Sequence, residues 1–498
     1  MKKALFLIIC LLSITISYSQ QISGKVTDGE FNQPLAFVNI QLTENKGSIS
    51  NNEGAFTIDV SGLEASHKVE FSFMGFETLR LSVEELKENA QVIMKPSIEL
   101  LDQVVISDRN LSAVEIINKF NENREKNHQL TNQRYRLFTR GKTQFLPEQM
   151  MFKLKKANNL KRKERKNIND ALNEINERIS GTRNMFFAES LKDVYKKDSV
   201  YLTDYIKRIR LTDTDAKGSI DDYQKEALSQ LFENLESDNT FKMKIGIIKV
   251  ADSVDINSDD DSFMVSTSTE EDQEEDEVNE SATESFLKRK SLINKNTLPQ
   301  ALREPEYFEY TLEEPSIING RPQYVISFEP DKRKAKFEGK MYIDQEDFAL
   351  TQIDYQLADG KKLESINLKL LGLKFNQHKA ENSIRYAKNE AGFYVPYYVS
   401  ETEGRYAFLR RTLTFIENHP ERSERIKFKL RFIIELNMIE TTELVLVEQE
   451  SIEEKAIDQT QFNTSVEAEI LETYDPSIWE DYPIFEATEE MKTFHINK

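Results

Sequence analysis

The chain has 498 residues, with 86 acids against 66 lysines and arginines, a formal net charge of −20. That balance is wrong for nucleic acid, whose phosphates select basic surfaces. Cys10 is its one cysteine, so beyond residue 19 there is none to make a disulfide, a thiolate zinc site or an iron–sulfur site.

Residues 1–19 read as a cleavable secretory signal peptide. Lys2 and Lys3 supply the positive start, Ala4 to Ile16 is apolar apart from Ser13 and Thr15, and Ser17 and Ser19 give small residues before Gln20. The run is short for a membrane anchor, which needs about 20 apolar residues, and no later segment supplies a helical span. Cys10 follows Leu7, Ile8 and Ile9, poor context for lipidation. About 480 residues then remain, room for two to four domains.

Residues 20–97 alternate at period two: Val38, Ile40, Leu42; Phe56, Ile58, Val60; Val69, Phe71, Phe73. Turn steps at Asp28-Gly29, Glu53-Gly54 and Gly75 separate the runs. About seven short strands fit, which predicts a small β-sandwich. His67 and Glu70 have the spacing of a zinc carboxypeptidase's His-x-x-Glu pair. On a strand, residues three apart point to opposite faces, so the two do not share an ion.

Ser112 and Glu115 form a capping box before Ala113, Ile116, Ile117 and Phe120, which predicts an amphipathic helix ending near Asn127 and His128. A strand over Tyr135 to Arg140 follows. Residues 153–166 then carry eight bases (Lys153, Lys155, Lys156, Lys161, Arg162, Lys163, Arg165, Lys166) against Glu164 alone. Such a run would touch anionic lipid, pair with acids elsewhere or face solvent; too few apolar residues accompany it for a membrane face, which favours solvent. From 167 to 240 the text reads as helix-like pieces and polar linkers. Residues 252–284 carry fourteen acids and no base, the composition of a disordered insert.

From 306 onward longer alternating runs begin. Asn319-Gly320 is a hairpin signal. Tyr324, Ile326, Phe328; Phe337, Met341, Ile343; Ile353, Tyr355, Leu357; and Ile366, Leu368, Leu370 follow in phase. FYVPYYVSE, YAFLRRTLTF and IKFKLRFIIEL supply more strands, which predicts a large antiparallel meander with one apolar side. Arg333, Lys334, Lys336 and Lys340 charge part of its edge. In the tail, Trp479, Tyr482, Phe485, Pro476 and Pro483 are expected to dock on the body. The expected division is 1–19, signal; 20–97, sandwich; 98–250, linker, helix and start of a second domain; 251–297, acidic insert; 298–435, curved sheet; 436–498, strand and tail.

Two resemblances join this reading. Gly24, Val26, Asp28; Pro34, Leu35, Val38, Asn39, Ile40; Asn51, Gly54, Phe56; and Met74, Gly75, Phe76 resemble the carboxypeptidase-regulatory-like domain of Bacteroidetes envelope proteins. That resemblance implies a transthyretin-like sandwich serving as an accessory or interaction module without chemistry of its own. The third region, with the helix at 113–127, resembles the periplasmic part of an uncharacterised family that often adds an outer-membrane barrel. Its sheet is in turn similar to the half-barrel of lipoprotein carriers and sensors. After 435 only about sixty residues remain, too few for a barrel of eight strands.

The fold class expected is therefore mainly β, a transthyretin-like sandwich followed by an α+β region with a large curved antiparallel sheet. The mature chain's five histidines (67, 128, 378, 419, 495) stand in unrelated contexts. No nucleophile elbow or phosphate loop occurs. No catalytic, cofactor-binding or metal residue is assigned, and no cofactor is expected. The expected function is a non-catalytic envelope module for interaction, assembly or anchoring, in the periplasm or at the periplasmic face of the outer membrane. Its partner would be an envelope protein. The alternatives are a carrier or sensor holding a lipid or acyl chain in the curved sheet, and a hydrolase whose site the sequence hides.

Overall fold

The computed structural model describes residues 21–97, 111–179, 184–212 except 199, 240–254 except 246 and 247, and 290–494 except 291, 293, 319, 453, 454, 456, 458, 459, 461, 465, 481, 483 and 484. The expected signal segment, most of the acidic insert, Asn319, Pro483 and His495 lie outside these residues.

The period-two runs of the first domain become seven strands: β1 (Gln21–Asp28), β2 (Asn39–Gln41), β3 (Gly47–Ile49), β4 (Ala55–Asp59), β5 (Lys68–Ser72), β6 (Leu79–Ser82) and β7 (Gln91–Met94). A short helix, α1 (Val83–Glu88), precedes the last. They form two sheets, β4-β1-β7 and β3-β2-β5-β6. Val26, Val38, Ile40, Phe56, Val69 and Phe71 meet between the sheets, out of contact with solvent. Gly24 is glycine because the sheets close over it: a Cβ there would lie 2.2 Å from the Ala90 carbonyl oxygen and 2.6 Å from the Phe56 ring. The Asn51 side chain accepts from the amides of Glu53 and Ala55, both at 2.9 Å, and shapes the turn into β4.

The second region starts with α2 (Ala113–Asn127), capped by Ser112 and Glu115. Then come β8 (Gln133–Ala157), α3 (Arg162–Ile179), β9 (Asn184–Lys197), β10 (Val200–Leu211), β11 (Phe241–Ile245) and β12 (Ile248–Val254). Ten further strands follow: β13 (Phe308–Leu312), β14 (Ser316–Ile318), β15 (Arg321–Pro330), β16 (Phe337–Asp344), β17 (Leu350–Leu357), β18 (Ser365–Leu368), β19 (Leu373–Lys388), β20 (Tyr394–Glu417), β21 (Lys427–Ser451) and β22 (Glu469–Leu471). β8 to β22 make one sheet of 15 strands. Its main path runs β13-β15-β16-β17-β19-β20-β21-β8-β9-β10-β22, with β11, β14 and β18 attached to β20, β15 and β19 and β12 to β11. The path is open, and β22 joins β10 in parallel.

Four sequence expectations change here. Residues 184–211 are a hairpin of two long strands, not helical pieces and linkers. Buried polar residues at Glu189, Lys192 and Asp193 break the alternation that would have signalled them. FYVPYYVSE and YAFLRRTLTF are one strand of 24 residues, β20, and the division at 435/436 falls inside β21. Finally, the sheet is apolar on both sides along part of its length.

Both faces follow from the alternation of the long strands. On the first face, at one end, Tyr135, Leu137, Leu444 and Leu446 lie beneath Ile116, Ile117 and Phe120 of α2. At the far end, Met150, Phe152, Leu154, Leu430, Phe432 and Ile434 lie beneath Ile168, Leu172 and Ile175 of α3. Asn169 and Asn176 lock α3 there by bonding the main chain of Leu154 and Phe152. Between the two cores this face carries polar residues, among them Arg405, 3.4 Å from Glu440.

On the second face, at the α2 end, Phe138, Leu191, Ile209, Tyr398, Val445 and Val447 receive Ile49 of the sandwich and Trp479 and Phe485 of the tail. The sandwich adds a β-bridge, Lys46 to Glu448, and a bond from the Gln449 amide to the Asn45 carbonyl, 3.0 Å. The Gln21 amide donates to the carbonyls of Trp479 and Tyr482, and the Asn51 amide to that of Ala487. At the centre is a buried ion pair. Arg140 Nε donates to Glu189 Oε1 at 2.7 Å, and its other nitrogens donate to the carbonyls of Phe485 (2.7 Å) and Glu486 (2.8 Å). Glu189 accepts from the Trp479 indole at 2.8 Å. The tail is thus held by a charge pair whose remaining valences it satisfies.

Breaking that pair on one side leaves a buried charge alone, which costs about 3–5 kcal/mol. Arg140→Met should lower stability by that order in equilibrium urea unfolding. The double variant Arg140→Met/Glu189→Leu should lose clearly less than the sum of the single variants. Simple additivity would show that the two groups do not act as a pair.

Candidate interaction surface

Beyond the sandwich, no described element covers the far half of the second face. Cross-strand register shows what it presents. Thr412, Arg431 and Lys153 stand in one row across β20, β21 and β8, and Thr414, Lys429 and Lys156 in another. Arg410 lies on the same face, opposite Ile433 and, one strand on, Met151. Lys369 and Lys374 lay their ammonium groups over the rings of Phe408 (5.7 Å) and Tyr406 (4.5 Å). Among the described residues none of these seven bases makes an ion pair. Like charges directly opposite on neighbouring strands oppose folding, and here two successive rows repeat the arrangement. Arg431 Nε is buried without a hydrogen-bond partner.

At the edge of this field the β18–β19 hairpin makes a corner, in which Ile366 and Leu368 register with Phe375 and Leu373 on the first face and the turn after them projects at the sheet edge. Every residue of β18 is exposed. The strand runs into a tight 3-10 turn, Lys369–Leu371, closed by Gly372 at φ 77°. Ile366 and Leu368 are 48% and 47% exposed, Leu371 72% and Leu370 97%. The turn itself is fixed. The Arg411 guanidinium donates to the carbonyls of Leu371 and Gly372, both at 2.8 Å, and the Arg410 amide to that of Gly372 at 2.8 Å. An ordered frame therefore holds four apolar side chains in water, each forgoing about 1.5–3 kcal/mol that full burial would give.

The sequence reading placed Leu370 in phase with Ile366 and Leu368 as one strand. The structure corrects this: Leu370 stands in the turn, because Gly372 reverses the chain into β19. The basic run 153–166 divides, with Lys153, Lys155 and Lys156 ending β8 and Arg162 to Lys166 opening α3. The signal available in sequence was the run Lys361 to Lys374, with four lysines and six aliphatic residues against one acid, Glu364.

The histidines do not converge. The His67 ring meets the Leu42 carbonyl, while Glu70 pairs with Arg80 at 2.6 Å. His419 lies 3.7 Å from Glu424, and His378 is exposed. His128 is enclosed by Phe120, Tyr386 and Tyr394 and accepts at Nε2 from the Leu350 amide at 3.2 Å. Among the described residues no group of three or more His, Cys, Asp or Glu is placed to hold a metal ion. The carboxylate cluster at the junction is closed: burial pushes the Glu443 carboxyl up against the pull of Arg140, and it accepts from the Tyr398 hydroxyl at 3.0 Å.

Residues 22–106 match the family profile of the CarboxypepD_reg-like domain. No curated protein and no solved structure matches the chain. The first domain is thus a CarboxypepD_reg-like, transthyretin-like sandwich of a kind that is generally without catalysis, followed by a large sheet.

Burial holds the His128 pKa down at about 3. The unfolded chain, near 6.5, binds the proton first, so this group's stabilisation is complete above pH 6.5 and is lost as pH falls toward 3. Between pH 6.5 and pH 4 it should cost about 3 kcal/mol. His128→Phe should flatten that part of the pH–stability curve. An unchanged slope would show that His128 is protonated in the folded chain.

Proposed function

We propose that the chain is a non-catalytic protein of the cell envelope that acts as an interaction, assembly or anchoring module. Its working surface is the bare far half of the second face together with the leucine corner. The observation that carries this reading is the corner. A rigid turn that holds Leu370 at 97% exposure beside Leu371 at 72% gains nothing from folding alone. The sandwich supports the same reading, since its family is generally an accessory module. The signal-like first 19 residues support export, and the family resemblance supports the periplasmic side of an outer membrane.

The carrier reading has less support. The first face, where a curved sheet would cup an acyl chain, is filled by Ile116, Ile117 and Phe120 of α2 at one end and by Leu172 and Ile175 of α3 at the other. Among the described residues the hydrolase reading has no open cluster of acids and histidine to build on.

In fractionated cells the full chain should sediment with the envelope. A Leu370→Ser/Leu371→Ser variant, with an unchanged unfolding midpoint because both side chains are solvent-facing, should shift to the soluble fraction. Equal partition of the two proteins would contradict the assignment of this surface.

A further inference from the structure

We infer that the partner of this surface is an anionic lipid bilayer, with the leucine corner dipping into the acyl boundary and the basic rows facing the headgroups. This rests on the interaction reading above and names its partner.

Three observations favour a bilayer over a protein. First, the apolar groups sit on a projecting turn. Leu370 and Leu371, at 97% and 72% exposure, have no surrounding platform among the described residues. Protein hot spots are enriched in Trp, Tyr and Arg set in desolvated pockets, and Leu is under-represented among them. Fluid hydrocarbon needs no matching pocket and takes leucine directly. Second, bases ring the corner. Lys369 lies within the turn, Lys374 follows it, and Arg410 and Arg411 hold it through its carbonyls. Lysine and arginine stems lie along apolar surface while their charges reach outward, the arrangement found at membrane interfaces. Third, the charge continues away from the corner. Arg431 and Lys153, then Lys429 and Lys156, extend it across two adjacent strands, β21 and β8, spaced by about 4.8 Å. Their mutual repulsion is relieved by a layer of anions, and not by any acid among the described residues. Glu435 and Glu148, acids in that field, are engaged by the Tyr406 hydroxyl and the Asn437 side-chain amide.

The two parts supply two signals. One apolar anchor gives marginal membrane binding, and an anchor joined to a polybasic patch gives stable binding. The attraction falls off within a Debye length and weakens with salt.

The test is flotation of the full chain with vesicles of phosphatidylcholine containing about 30% phosphatidylglycerol, and with phosphatidylcholine alone. Binding is expected on the anionic vesicles, weaker by roughly tenfold or more on the neutral ones and in about 0.5 M salt. Leu370→Ser/Leu371→Ser should lose roughly tenfold or more in affinity for the anionic vesicles. Arg431→Gln/Lys153→Gln should lose roughly tenfold and retain less salt dependence. The exposed leucine pair keeps the test sound if the strand variant folds poorly. Equal binding to neutral and anionic vesicles would overturn the inference. So would failure to bind either while the leucines still direct the chain to protein-containing envelopes, an outcome that leaves the interaction reading standing with a protein as partner. Absence of both behaviours would overturn both.

Discussion

β21 returns along β8 over nearly the whole of both strands, from Ser451 against Gln133 to Phe428 against Ala157. This long-range pairing joins the two halves of the second region, and the other packing is built on it. Three register shifts, at Lys429/Leu430, Glu435/Leu436 and Leu446/Glu448, interrupt the pairing. Each sets an extra residue on one strand of about 25 residues and resets its alternation, so that in β8 the first face passes from Tyr135 and Leu137 to Met150, Phe152 and Leu154. Because side chains alternate, this one register decides which residues meet α2 and α3 and which meet the sandwich and tail. A slip of one residue would carry Arg431 and Lys153 into the α3 core and put Leu430 and Leu154 in water.

The sheet is therefore asymmetric in a useful way. Its first face carries two separate cores, one beneath each long helix, with a polar stretch between them. Its second face is closed at one end by the sandwich, the tail and the Arg140–Glu189 pair. That pair is well suited to a junction. Buried charges are costly unless every valence is met, and here the valences are met by groups from the tail: the Phe485 and Glu486 carbonyls and the Trp479 indole. The tail thus stays where it is only while the sheet residues keep their register. At the other end nothing described covers the face, and there the chain concentrates unpaired bases beside exposed leucines. Local rules of stability are broken here together, by facing bases and by exposed leucines, and such a place is where a binding surface is expected.

Much of the fold was legible in the sequence. The sandwich showed in period-two alternation and in its glycine turns, and α2 in its capping box and apolar face. Strands from Tyr324 to Leu357 showed their phase. Residues 184–211 did not, because Glu189, Lys192 and Asp193 are buried polar groups and periodicity cannot distinguish these from surface positions. The length of β20 was hidden by its polar middle, Ser400 to Arg405, which reads as a break between two strands. The working surface was legible only in pieces. The basic run 153–156 stood out, but its neighbours Lys429 and Arg431 are over 270 residues away in sequence. Leu370 read as a strand position because a leucine-rich run gives the same alternating text whether or not a turn follows. Pairing brings these pieces together, and pairing is what a single sequence does not display.

The central claim is that the far end of the second face, and not the sandwich, meets the partner. Hydrogen–deuterium exchange of the full chain, free and bound to envelope membranes, tests it most directly. Slowed exchange confined to residues 365–373, with 151–156 and 427–433, is the expected result. Slowed exchange confined to the sandwich at 21–97, with no change at the leucine corner, would contradict it.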